Sequence, residues 1–83
     1  MHNRFMDIVL YTRDAELDSD AMRDHLTCMG VPFQDREVDS DAGARRDWER
    51  IDGLVTPVLV IGPTIVHGLD RTQVDQILGM VGC

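Results

Sequence analysis

The chain has 83 residues, 43% of them hydrophobic, and a net charge of −7, enough for one compact core and too few residues for two. All eight basic residues are Arg, and Asp outnumbers Glu twelve to three; such an acidic surface repels phosphate backbones and anionic lipid, so neither nucleic-acid nor membrane-surface binding is expected. No apolar run approaches the roughly 20 residues that span a bilayer, and residues 1–6, read as a flexible tail, lack the apolar stretch of a signal peptide, so a cytoplasmic location is expected.

The elements follow in chain order. Asp7 to Thr12 is apolar on both faces through its middle, the pattern of a central strand covered on both sides. Met22, His25, Leu26 and Met29 recur at helical spacing and predict an amphipathic helix, capped by Asp18, Ser19 and Asp20 and ended by Gly30 and Pro32. Phe33 to Val38 is a more polar strand, suited to a sheet edge. A second helix runs from Asp41 as N-cap through Ala44, Trp48 and Ile51 to a stop at Gly53.

Val58 to Ile61 and Thr64 to His67 are two apolar runs joined by Gly62-Pro63, which predicts an antiparallel hairpin. Asp70 and Gln73 have the spacing of a capping box, opening a last helix whose buried stripe is Val74, Ile77, Leu78 and Val81. The whole reads βαβαββα, an α/β domain with a four-stranded mixed sheet flanked by three helices.

That order, together with Thr56-Pro57 before the third strand, Gly68-Leu69-Asp70 before the last helix and Tyr11-Thr12-Arg13 after the first strand, resembles the glutaredoxin family of small thioredoxin-fold, NrdH-like proteins. The resemblance spans residues 7 to about 81. It implies a cis Pro57, with the Thr56 backbone pairing against an extended thiol ligand, and Gly68-Leu69-Asp70 meeting the glutathione carboxylate. It also implies a Cys-x-x-Cys after the first strand, where this chain has Glu16-Leu17-Asp18-Ser19. Glu16 and Ser19 occupy the two cysteine positions, and neither exchanges disulfides.

The residues carry a reading of their own. Ligands of open α/β sheets collect beyond the carboxyl ends of parallel strands, and helix N-termini there offer unpaired N–H groups to a carboxylate. Capping alone also accounts for Asp70. Ser19 as a nucleophile lacks a base, since His25 lies about 9 Å along the helix. His25 and Cys28 could give two metal ligands, but no further pair completes a set. The first and third helices, side by side in the family, make a Cys28 to Cys83 disulfide conceivable.

The expectation is a non-catalytic binding or adaptor module. Its groove is made of Arg13, Glu16, Ser19, Thr56, Pro57, Gly68, Leu69 and Asp70. The ligand is glutathione, another small thiol, or an extended peptide of a protein partner. No cofactor or metal is expected, and the oligomeric state stays open. The alternative is residual thiol-disulfide exchange through Cys28 or Cys83, and a third reading is self-association through the Phe33 to Val38 edge.

Overall fold

The computed structural model describes residues 7–79. The expectations for residues 1–6, Val81 and Cys83, including the Cys28 to Cys83 pairing, lie outside the described residues. Seven elements follow one another: β1 (Ile8–Thr12), α1 (Leu17–Cys28), β2 (Gln34–Glu37), α2 (Ala42–Ile51), β3 (Val58–Ile61), β4 (Thr64–His67) and α3 (Arg71–Leu78). They form one mixed sheet in the order β2-β1-β3-β4. β1 runs parallel to β2 and antiparallel to β3, and β3 and β4 are the expected hairpin. Among the described residues no helix is long and apolar enough to cross a membrane.

Side chains alternate across a strand, so each central strand feeds two cores. Leu10, Leu59, Ile61 and Val66 project to one face and pack with Met22 and Leu26 of α1 and Val74 of α3. Tyr11 and Val58, one residue out of phase, project to the other and pack with Val38 and with Ala44 and Trp48 of α2. α1 and α3 therefore share one side of the sheet and α2 covers the other. The His25 ring nitrogen Nε2, buried on α1, lies 2.8 Å from the Asp75 carboxylate on α3, which ties the two helices together.

Helix ends follow the local chemistry. Asp41 and Asp70 cap α2 and α3, each accepting a hydrogen bond 3.1 Å from the third amide of its helix, Ala44 and Gln73. The start of α1 differs from the expectation. The helix begins at Leu17 with Glu16 in the N-cap position, and no side chain caps it. Ser19 cannot cap because its hydroxyl is turned toward Glu16, and Asp18 and Asp20 lie inside the first turn, where their charge suits the helix dipole.

The β2 edge carries Asp35, Arg36 and Glu37. Asp35 pairs with Arg23, Arg36 with Asp47, and Glu37 accepts from the Asp14 and Ser40 amides. Charged side chains engaged in this way blunt an edge against a second chain.

Candidate functional site

The register of the sheet builds the site. Tyr11 of β1 stands opposite Val58 of β3, so the segment leaving β1 at Arg13 lies beside the segment entering β3 at Thr56-Pro57. Thr12 stands opposite Glu37 at the carboxyl ends of the two parallel strands. The crevice where ligands of such sheets gather is thus bounded by the β1–α1 loop and the turn before β3. The Thr56-Pro57 bond is cis, as the resemblance implied.

The chain enters α1 through a sharp turn. Ala15 adopts a left-handed backbone (φ 57°), uncommon for a residue with a Cβ. This turn places Glu16 under the crevice. Its Oε1 accepts a hydrogen bond from the Thr56 hydroxyl at 2.7 Å and a second from the Ser19 hydroxyl. Among the described residues Oε2 accepts none. Ser19 is completely buried, and its oxygen accepts from the Arg13 amide at 3.1 Å. Glu16 and Ser19 are therefore bonded to each other, and Glu16 to the residue before the cis proline.

Arg13 is committed elsewhere. Its Nε lies 3.4 Å from Asp39, its guanidinium sits 5.1 Å from the centre of the Trp48 ring, and its Nη1 approaches the Thr56 hydroxyl at 3.5 Å. Trp48 in turn donates from its indole N–H to the Val55 carbonyl at 2.8 Å, which fixes the segment leading into Thr56. Asp52 steadies the same segment by accepting from the Leu54 and Val55 amides, and it pairs with His67 of β4. Burial pushes the Asp52 carboxyl up, but the bonds from His67 and from the two amides outweigh it and leave the group below its ordinary range. Glu37 is held low mainly by the Ser40 hydroxyl, against some desolvation, with the Asp14 and Ser40 amides adding to the effect.

Arg13, Glu16, Ser19 and Thr56 thus form one hydrogen-bonded group, and Pro57 is tied to Gly68, whose amide donates to the Pro57 carbonyl at 2.8 Å. Gly68 has φ 76°, a conformation that suits a residue without a Cβ. Leu69 packs against the core on the α1 and α3 side, and the Asp70 carboxylate is engaged as the cap of α3. The Thr56 backbone N–H and C=O take no partner among the described residues.

Residues the sequence did not single out complete the surroundings. Leu17 (83% exposed), Leu54 (84%) and Val55 (42%) are the large hydrophobic side chains left open to solvent among the described residues. Leu17 follows Glu16, and Leu54-Val55 precedes Thr56. Their apolar character outside any buried periodic stripe was the available signal. Cys28 is remote from this crevice, at the other end of α1, where it lines a shallow cleft of about 300 Å³ with Ala21, Asp24, His25 and Arg71. Among the described residues no three His, Cys, Asp or Glu side chains gather where they could hold a metal ion.

No protein-family description and no curated protein matches the sequence. Solved structures do. The thioredoxin-like protein BC3987 superposes with a TM-score of 0.81 at 25% identity, over 86% of this chain and 99% of that one. The glutaredoxin-like protein NrdH-redoxin from Escherichia coli gives 0.78 at 21% identity, over 87% and 95%. A buckwheat glutaredoxin, solved as a complex with glutathione, gives 0.68 at 15% identity, over 89% and 71%. The fold is therefore thioredoxin-like, in its glutaredoxin-like form.

Proposed function

We propose that this chain is a glutaredoxin-like binding or adaptor module of the cytoplasm whose active-site thiols are replaced by a carboxylate and a hydroxyl. One observation carries the reading: Glu16 and Ser19, at the two cysteine positions, are hydrogen-bonded to each other, and Glu16 is bonded to Thr56 beside the cis Pro57. A hydroxyl and a carboxylate have no disulfide chemistry. What the crevice retains is a means of holding an extended ligand. The unpartnered N–H and C=O of Thr56 offer two strand-like hydrogen bonds, the main-chain contribution to affinity in β-strand addition.

The ligand classes are an extended peptide segment of a protein partner, glutathione, or another small thiol. The buckwheat protein's complex supports the small thiol. The groove is that of Arg13, Glu16, Ser19, Thr56, Pro57, Gly68, Leu69 and Asp70, with Asp70 acting through the helix start that it caps.

The test is an amide-shift NMR titration of the protein with reduced glutathione and with a short extended peptide, run beside a disulfide-reduction assay of wild type and Cys28→Ser. Shifts confined to Arg13, Ser19, Thr56 and Gly68 to Asp70, without turnover, are expected. Turnover that disappears in Cys28→Ser would replace the binding module by an oxidoreductase with a displaced thiol.

A further inference from the structure

We infer that the crevice selects an extended protein segment in which apolar side chains flank an Arg or Lys, with Glu16 receiving the cation. The inference rests on the binding-module reading and names the partner class of the same site.

Two features converge there. The first is apolar. Leu17, Leu54 and Val55 lie on the two segments that the 2.7 Å bond between Glu16 and Thr56 holds together. An isolated exposed leucine needs no explanation, but three gathered at one crevice mark an interaction surface. The second is charge. A thioredoxin-fold site normally presents a thiol at the position of Glu16. Here the group is a carboxylate whose Oε1 is used internally and whose Oε2 accepts no bond among the described residues.

Local cations do not cancel that charge. The β1–α1 connection carries Arg13 against Asp14 and Glu16, with Asp18 in the first turn of α1, and Arg13 is paired with Asp39 and lies over Trp48. A carboxylate ligand such as glutathione meets repulsion here, whereas a guanidinium or ammonium meets an open acceptor in a partly desolvated setting. The partner's backbone pairs with Thr56, its central basic side chain reaches Oε2, and its flanking apolar side chains rest on Leu17 and on Leu54 and Val55. Alternate side chains of an extended strand point to opposite faces, so the residues two positions to either side of the basic one share its face and are those available to the rims. Selection against acidic segments arises from like charge as much as from the pairing itself.

The experiment titrates the full chain at low salt with the blocked pentapeptide Leu-Val-Arg-Val-Leu, with the same peptide carrying Glu in place of Arg, and with reduced glutathione. Amide shifts locate binding and calorimetry gives affinities. Glu16→Gln keeps an acceptor for the Ser19 and Thr56 hydroxyls while removing the charge, and Leu54→Ser alters an exposed side chain only.

The Arg peptide is expected to move the amides of residues 13–19 and 54–58 and to bind at least ten times more tightly than the Glu peptide. The preference should fall below threefold in Glu16→Gln and shrink as NaCl rises, and Leu54→Ser should weaken both peptides. Equal affinity of the two peptides overturns the charge selection and leaves the binding module standing. Binding of glutathione alone overturns the basic-segment partner in favour of a small thiol. Shifts with none of the three overturn the binding module itself.

Discussion

Trp48 anchors the wall of the crevice, and Trp48→Phe tests this. The indole is 2% exposed, donates to the Val55 carbonyl at 2.8 Å and lies under the Arg13 guanidinium. Phe keeps an aromatic ring and removes the N–H. Val55 is 42% exposed, so its carbonyl regains water and the lost bond costs toward the lower end of about 0.5–1.5 kcal/mol. The smaller ring buries less and leaves a partial void, which adds about 1–2 kcal/mol. The sum is about 1.5–2.5 kcal/mol. For a domain of this size that lowers Tm by roughly 6–12 °C, taking the low end of the sum. Urea unfolding should show a lower midpoint at unchanged slope. The Val55, Thr56 and Arg13 amides should shift in the same spectrum. A double-mutant cycle with Arg13→Met should return a coupling of about 0.5–1 kcal/mol between the guanidinium and the ring. A loss under 0.5 kcal/mol, or a full loss with unmoved amides at 54–56, would refute the anchor and reduce Trp48 to sheet cover.

Asp70→Ala should cost about 1 kcal/mol in thermal unfolding through loss of the α3 cap, while leaving the amide shifts of Glu16 and Ser19 in place; movement there would mean that Asp70 acts within the crevice. The Asp52 carboxyl is held below its ordinary range when folded, so its contribution is complete above the unfolded carboxylate value of about 4 and is lost as pH falls through the lower folded value. Asp52→Asn should therefore cost about 1 kcal/mol at pH 7, with the difference from wild type closing below about pH 4, as read from urea midpoints across pH. Ala15→Gly relieves a left-handed conformation costing about 1–2 kcal/mol and adds unfolded-state freedom worth about 0.5–1 kcal/mol. It should stabilise by up to about 1.5 kcal/mol, and a measured destabilisation would sink the strain assignment.

What was legible in the sequence is what local chemistry decides. The Val58 to Ile61 and Thr64 to His67 runs have strand composition with a Gly-Pro turn between them, and they form the hairpin at those residues. Asp41 and Asp70 are side chains that compete well for a helix's first amides, and both cap. The start of α1 was misread because it is decided at long range. Ser19 looks like a cap until Thr56, far along the chain, brings a hydroxyl to Glu16 and the Glu16 carboxylate takes Ser19 as its other donor. The His25 contact with Asp75 and the Trp48 bond to Val55 were hidden for related reasons. The first depends on which face of the sheet α1 and α3 share, and the second on how the chain turns after α2.

The same network accounts for how the crevice is held together. Neither Glu16 nor Ser19 adds an apolar side chain to the clusters on either side of the sheet. Ser19 is nonetheless completely buried, and a buried hydroxyl needs a partner. Glu16 supplies it, and the Ser19 oxygen in turn satisfies the Arg13 amide where the chain leaves β1. Thr56 is held by the same carboxylate oxygen, so the crevice stays shaped by hydrogen bonds among its own residues rather than by a disulfide. Glu16→Ala would strand two hydroxyl donors at once, whereas Glu16→Gln would keep an acceptor for both. The contrast between those two variants separates the carboxylate's part in shaping the crevice from its charge.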